Sequence, residues 1–229
     1  MKKISLLLVD DHMVLREAMR ALLATEADLE IVGEAENGRQ AVELAGQLQP
    51  DVVIMDIAMP QLNGLEATRR ITKEAPNTKV LILSSYSDDK FVQDLTEVGA
   101  IGYLLKQSAA PEVIKAVREA AKGKSCFSPS ISRRLFDQSR PGFLKGGERP
   151  MKQRNSLALT SREREVLQLV AEGKGNRQVA AELNISVKTV EKHRQHAMDK
   201  LNIHDTAGLT RYAYAEGLID STTGPSAVV

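Results

Sequence analysis

Three aspartates in this 229-residue chain are spaced so that they could hold a divalent cation. Asp10 and Asp11 follow directly after the apolar segment Ile4–Val9, and Asp56 follows the apolar segment Val52–Met55. If both segments are neighbouring parallel strands, their carboxyl ends lie at one edge of the sheet and the carboxylates converge on one pocket. Mg²⁺ suits a site made of a few carboxylates, carbonyl oxygens and water. The spacing therefore predicts a magnesium site at these strand ends.

A hydroxyl and an ammonium group are predicted at the same edge. Ser84 ends a fourth apolar segment, and Lys106 follows a fifth. A carboxylate can attack phosphorus to form an acyl phosphate when the charge on the transferring group is neutralised, here by the cation and Lys106. Ser84 could donate a hydrogen bond to a phosphoryl oxygen. Each residue alone could be a solvated loop residue, but the whole set favours a phosphoryl-transfer site.

Short apolar runs alternate with amphipathic helical patterns over the first 124 residues. Continuously apolar strands joined by single helices are typical of a parallel sheet covered on both faces. We therefore expect an α/β, doubly wound, five-stranded parallel sheet with a flavodoxin-like fold. Pro111 is expected at the first position of the helix after the last strand. The predicted strands are Ile4–Val9, Glu30–Ala35, Val52–Met55, Val80–Leu83 and Tyr103–Leu105.

The second half of the chain has a different character. Gly, Pro, Ser and basic residues dominate 123–156, which is predicted to be a flexible linker with one short helix around Ile131, Leu135 and Phe136. Residues 157–219 show four helical patterns, the first opened by the capping-box sequence Thr160-Ser161-Arg162-Glu163. The predicted organisation is a phosphoacceptor domain (1–122), the linker, a small all-α helix-turn-helix domain (157–219) and a disordered tail (220–229).

Composition and charge restrict the function without identifying it. The net charge is +1, and aromatic residues make up 3%, which disfavours proteins that stack single-stranded bases on aromatic side chains. Residues 125–156 contain seven basic and two acidic residues, whereas 157–229 contain nine of each, so charge alone does not predict DNA binding. Cys126 is the one cysteine, and the apolar start meets Asp10 too early for a signal peptide or membrane span. A cytoplasmic protein with no membrane partner is expected.

The first half resembles the receiver domain of two-component response regulators. The resemblance rests on Val9-Asp10-Asp11-His12, on the segment from Met55 to Gly64 and on Gly102-Tyr103-Leu104-Leu105-Lys106. It implies that Asp56 accepts a phosphoryl group from a phosphohistidine of a sensor histidine kinase. It also implies a Mg²⁺ site formed by Asp10, Asp11, Asp56 and Ala58, in which Asp11 and the Ala58 carbonyl bind the ion directly and Asp10 acts through water. Ser84 matches the switch hydroxyl, although a one-residue slip would exchange it with Ser85, and Tyr103 matches the aromatic switch.

The helix predicted from Val187 has one apolar and one polar face. On a helical wheel Val190, Ala197, Met198 and Leu201 form the core stripe, and Lys188, Lys192, Gln195 and Asp199 point away from it. The charge of this polar face, taken alone, favours a face that is exposed to solvent and binds no partner. The pattern from Leu159 to Leu201, however, resembles the LuxR-type helix-turn-helix. That resemblance implies base or groove contacts in the DNA major groove by Lys188, Glu191, Lys192 and Gln195, and phosphate contacts by Thr189 and His193.

Together the two halves resemble response regulators of the NarL/FixJ class. We expect a regulator that, once phosphorylated on Asp56, forms a homodimer and binds double-stranded promoter DNA. The last helix, through Leu209, Tyr212 and Ala213, is the predicted dimer face. A zinc site made from His193, His196 and His204 is disfavoured, because no carboxylate or cysteine completes the set.

Two other interpretations stay open at this point. The protein could be an enzyme whose aspartyl phosphate is a catalytic intermediate, although this would not explain the C-terminal helices. It could also be a constitutive DNA-binding regulator whose receiver mediates only protein contacts. The presence of Asp10, Asp11, Asp56 and Lys106 argues against the second possibility. We expect a stoichiometric phosphoryl acceptor rather than an enzyme.

Overall fold

The computed structural model of the protein describes residues 2–85, 98–128, 131 and 159–219. The chain divides into two compact units, Met1–Arg140 and Pro141–Val229. The division falls within residues that the structure does not describe, so each unit is presented by itself. The predicted tail (220–229) and most of the predicted linker, including Leu135 and Phe136, lie outside the described residues.

The first unit is a parallel sheet with helices. All pairings are parallel, and the strand order is β2-β1-β3-β4-β5-β6. The predicted doubly wound α/β fold is confirmed. The described elements are β1 (Ile4–Val9), α1 (Met13–Ala24), β2 (Leu29–Ala35), α2 (Gly38–Leu48), β3 (Val52–Met55), α3 (Gly64–Glu74), β4 (Lys79–Ser84), β5 (Gly102–Leu105), α4 (Ala110–Ala121) and β6 (Cys126–Phe127).

The central strands are apolar throughout because both of their faces are covered. Leu7 and Val9 of β1 belong to the core on one face, and Leu6 and Leu8 belong to the core on the other. Successive strand side chains point to opposite faces, so a continuous apolar run fills two cores at once. This pattern made the central strands recognisable in the sequence.

The number of strands differs from the prediction of five. A sixth strand, β6, pairs with β5 through Gly102–Cys126 and Tyr103–Phe127, within the segment predicted to be linker. Two residues are too few to show a periodicity, so no pattern marks this strand. A further small difference is that α4 begins at Ala110, one residue before Pro111.

One glycine brings the loop after β3 close to α3. The Gly64 N–H donates to the Ile57 carbonyl at 2.7 Å. A Cβ at position 64 would lie 1.8 Å from the Asp56 carbonyl oxygen, so only glycine fits here without a shift of backbone. Asn63 caps α3 by accepting a hydrogen bond from the Glu66 N–H at 3.0 Å. These contacts fix the backbone on which Asp56 sits.

The second unit is a four-helix assembly, as predicted. Thr160 and Glu163 form the predicted capping box, and Ser186 caps the third of these helices. Asn184, with a left-handed φ of 51°, ends the second helix and allows the tight turn before Ser186. The helices are α5 (Ser161–Ala171), α6 (Asn176–Leu183), α7 (Val187–Leu201) and α8 (Thr206–Ala215). Within the described part of the chain, none of the helices has the length and apolar character needed to cross a membrane.

Candidate phosphoryl-transfer site and DNA-facing helix

The strand order places the predicted chemical groups at one edge of the sheet. β1 and β3 are neighbours in register, with Val9 opposite Met55, so Asp10 and Asp56 leave adjacent strand ends. Ser84 ends β4, and Lys106 follows β5 with its backbone N–H donating to the Ser84 carbonyl at 2.9 Å. Such an edge is where open α/β sheets bind ligands.

Lys106 lies between two of the carboxylates. Its Nζ is 2.8 Å from Asp56 Oδ2 and 2.8 Å from Asp10 Oδ2. Asp10 and Asp56 are buried, and Lys106 is largely shielded from solvent. A buried ammonium that bridges two carboxylates stabilises them through charge-assisted hydrogen bonds. The structure thus brings Asp10, Asp56 and Lys106 together at this edge of the sheet, where the sequence predicts them.

Burial dominates the protonation chemistry of Asp56. Desolvation raises the pKa of Asp56 to about 7, with Lys106 opposing the rise and the Asp10 carboxylate adding to it. Burial also raises the pKa of Asp11. Burial works to lower the pKa of Lys106, but the Asp56 and Asp10 carboxylates raise it overall, so the ammonium stays charged. One lysine is therefore not enough to stabilise the ionised forms of all the carboxylates in this pocket.

The pocket fits a divalent cation. Ligand atoms of Asp10, Asp11, His12 and Asp56 all lie within 4.8 Å of one another. Asp11 Oδ1 is buried without a hydrogen-bond partner, although His12 Nδ1 lies 3.0 Å away at ion-pair distance. A buried carboxylate oxygen without a hydrogen bond is costly, and coordination to a cation would remove that cost. Ala58 is buried in the loop two residues beyond Asp56.

Arg16 supports the pocket from behind and was not predicted from the sequence. It lies in α1, is buried, and its Nη1 donates to the Asp10 carbonyl at 2.6 Å. Its other nitrogens bind the carboxylates of Glu34 at 3.2 Å and Glu36 at 2.9 Å. No sequence pattern marks Arg16 as a buried residue, because the periodicity of α1 indicates only its apolar residues. Val14 of that pattern is in fact 77% exposed.

The two predicted switch residues lie inside the first unit. Ser84 and Tyr103 are both fully buried, and Tyr103 belongs to the same core cluster as Met55 and Val9. The neighbouring Ser85 is exposed. The Tyr103 side chain is therefore packed inside the first unit.

Helix α7 has the predicted division into two faces. Val190 and Ala197 are buried, and Met198 and Leu201 pack against the same core. The four side chains predicted to reach base edges are exposed, namely Lys188, Glu191, Lys192 and Gln195. Gln195 Nε2 donates to Asp199 Oδ1 at 2.8 Å. An exposed polar face that begins at the helix N-terminus has the form of a major-groove recognition helix.

Thr189 and His193 lie at the edges of the exposed face. The Thr189 N–H donates to Ser186 Oγ at 3.1 Å, so the start of α7 is fixed by its cap. His193 is half-buried, and its burial together with the nearby Arg162 lowers its pKa. Neither His193, His196 nor His204 belongs to a metal-binding cluster among the described residues.

The prediction for the dimer face is wrong for two of its three residues. Leu209 is 1% exposed and Ala213 is 0% exposed, and both belong to the core of the second unit. Tyr212 is half-buried against the same core. In a unit of four short helices, the apolar stripe of each helix is needed for the core. Tyr214, 52% exposed, is the large apolar side chain that α8 presents to solvent.

Comparison with known proteins gives two family matches and full-length relatives. Residues 6–118 match the response regulator receiver domain, and residues 157–213 match the bacterial regulatory proteins of the luxR family. The transcriptional regulatory protein LiaR of Bacillus subtilis is 37% identical over 95% of this chain and 100% of its own length. DegU of Brevibacillus brevis, also a transcriptional regulatory protein, is 39% identical over 89% of each chain.

A solved structure of similar organisation contains DNA. The structure described as two RcsB dimers bound to two parallel DNAs is similar to this chain with a TM-score of 0.56 and 26% identity. The similarity covers 92% of this chain and 98% of the RcsB chain. Each of these similarities spans most of both units of this chain.

Proposed function

This chain belongs to the response regulators that join a receiver domain to a LuxR-type DNA-binding domain, and from that membership we propose that Asp56 is its phosphoacceptor. The protein is a transcriptional regulator whose DNA binding is controlled by phosphorylation. The observation that most strongly supports Asp56 is its buried position 2.8 Å from Lys106 Nζ, at the strand ends. We propose the receiver as 1–122, the linker as 123–156 and the DNA-binding domain as 157–219.

The phosphoryl donor is the phosphohistidine of a sensor histidine kinase. An Asp56 carboxylate oxygen attacks the phosphorus, the bond from phosphorus to the histidine nitrogen breaks, and its electron pair returns to the imidazole. Attack requires ionised Asp56, and the Lys106 ammonium favours that form. Asp10, Asp11, Asp56 and the Ala58 carbonyl would hold Mg²⁺, which when bound neutralises charge on the transferring group.

The phosphorylated receiver then acts on the rest of the chain through Ser84 and Tyr103. Ser84 donates to a phosphoryl oxygen, and the packing of Tyr103 holds the resulting arrangement of the β4 and β5 ends. This change favours a homodimer, whose two α7 helices bind half-sites about one helical turn apart in promoter DNA. Lys188, Glu191, Lys192 and Gln195 contact base edges or the groove, and Thr189 and His193 contact phosphates.

Chemical labelling tests the acceptor directly. Acetyl phosphate with Mg²⁺ should add one phosphoryl group to the wild-type chain, measured as a mass increase of the intact protein or as a shift in a phosphate-affinity gel. Asp56→Asn should abolish the labelling. Asp51→Asn is the matched control, since Asp51 lies at the opposite end of β3, where it accepts hydrogen bonds from Ser5. Labelling that survives in Asp56→Asn would show that another residue is the acceptor.

A further inference from the structure

His12 places an imidazole beside the carboxylates of the receiver pocket. Its Nδ1 lies 3.1 Å from Asp10 Oδ1 and 3.0 Å from Asp11 Oδ1. Its backbone N–H donates to Asp10 Oδ1 at 2.9 Å, which holds the residue at the start of α1. The side chain is 44% exposed, so the ring contacts the carboxylates from the solvent side.

The pocket therefore offers a mixed set of nitrogen and oxygen ligands. Within the described residues, the ligand atoms of Asp10, Asp11, His12 and Asp56 form the one group close enough to share an ion. Mg²⁺ strongly prefers oxygen ligands, whereas Co²⁺, Ni²⁺ and Zn²⁺ accept imidazole and bind most mixed sites more tightly. An imidazole at this point should change which cation the pocket prefers.

We propose that His12 Nδ1 is a ligand for cations of the first transition series, so that the pocket binds Ni²⁺, Co²⁺ or Zn²⁺ more tightly than Mg²⁺. The proposal rests on the proposed function in taking the carboxylate pocket as the cation site. It adds that the imidazole contributes to transition-metal affinity and not to Mg²⁺ affinity. A purely structural His12, which only holds the loop before α1, would affect both kinds of cation equally.

Titration calorimetry of the metal-free, tag-free full chain can separate these roles. Ni²⁺ and Mg²⁺ are titrated separately into wild type, His12→Asn and His204→Asn. Asparagine is a good helix N-cap, so it preserves the start of α1 while removing the imidazole. His204 is exposed in the other unit and controls for the loss of any histidine. His12→Asn should weaken Ni²⁺ binding by about tenfold or more and change Mg²⁺ binding by less than about twofold. His204→Asn should match wild type for both cations.

Three results would overturn the proposal. Unchanged Ni²⁺ affinity in His12→Asn would show that the ring is not a ligand. An equal loss for Ni²⁺ and Mg²⁺ would show that His12 only positions the loop. Full Ni²⁺ binding by Asp11→Asn would place the ion outside this pocket. Acetyl phosphate labelling of the wild-type chain in Mg²⁺ tests the proposed function separately, because that readout does not depend on whether the imidazole binds Ni²⁺.

Discussion

Arg16 joins the carboxyl ends of β1 and β2 behind the acidic pocket. Its guanidinium holds the Asp10 carbonyl and two carboxylates of the β2 end, Glu34 and Glu36. It therefore fixes the backbone from which Asp10 and Asp11 project. Groups that orient ligands affect metal affinity although they do not touch the metal. By this argument Arg16 is a positioning residue for the cation site.

Arg16→Met should weaken Mg²⁺ binding by about tenfold, because the loop carrying Asp10 and Asp11 loses its anchor. Arg118→Met is the matched control. Arg118 also binds two carboxylates, Glu26 at 2.6 Å and Asp28 at 2.7 Å, but at the opposite end of the sheet, before β2 begins. Calorimetric Mg²⁺ titrations should show a loss only in Arg16→Met. Equal Mg²⁺ affinities in the two variants would contradict the positioning role.

The raised pKa of Asp56 predicts a pH-dependent stability. A carboxyl group whose pKa rises from 3.8 to about 7 on folding binds its proton more tightly in the folded state. Its contribution to the free energy of unfolding is complete below about pH 4 and is lost as the pH rises to about 7. The whole effect corresponds to at most about 4 kcal/mol.

Asp56→Asn removes that ionisation and should be stabilised relative to wild type increasingly between pH 5 and pH 8. Urea unfolding in the presence of a chelator measures the difference between the two proteins at each pH. Saturating Mg²⁺ should reduce the difference at pH 8, because the cation stabilises the ionised carboxylate. A difference that stays constant across this pH range would contradict the assigned cause.

At the scale of elements, strands with a continuous apolar run could be predicted from the sequence. A two-residue strand, and a helix that buries a charged residue, could not. β1 and β3 have the predicted bounds, and β4 and β5 extend the predicted ones by one or two residues. β6 has two residues, which carry no periodicity. In α1 exposed Val14 and buried Arg16 reverse the usual preference, because ion pairs with Glu34 and Glu36 compensate the burial of the guanidinium.

The faces of α7 and α8 show a second limit of prediction from the sequence. The wheel placed the core stripe of α7 correctly, since Val190 and Ala197 are buried. In α8 the same kind of apolar stripe suggests a dimer face, but Leu209 and Ala213 fill the core of the second unit. Sequence periodicity identifies an apolar face but does not say whether the same chain or a partner covers it.

The exposed face of α7 predicts a specific effect of one lysine. Lys192→Ala should weaken binding to a DNA operator, selected from random sequences, by about fivefold to 150-fold if Lys192 contacts a base. The dependence of log K on log salt should also become shallower. Lys115→Ala removes the same charge from the exposed surface of α4 and should change neither quantity. Binding by Lys192→Ala that equals that of Lys115→Ala at all salt concentrations would contradict the assignment of this face.

At the scale of the whole molecule, a phosphoryl group in one unit must alter DNA binding by the other. A ligand or modification shifts such an equilibrium only by the difference in its interaction with the two states. Residues 125–156, within the linker proposed between the units, include seven basic and two acidic residues, so we expect the linker to add charge attraction to DNA in either state. Control by phosphorylation must therefore appear as an increase in DNA affinity above the constant contribution of the linker.

DNA affinity with and without phosphorylation tests the central claim most directly. Fluorescence anisotropy with a labelled operator, at one fixed salt concentration, compares wild type and Asp56→Asn before and after treatment with acetyl phosphate and Mg²⁺. We expect wild type to bind at least about tenfold more tightly after treatment, equivalent to about 1.4 kcal/mol, and Asp56→Asn to be unchanged. Equal affinity of wild type before and after complete labelling, or the same gain in Asp56→Asn, would contradict the account.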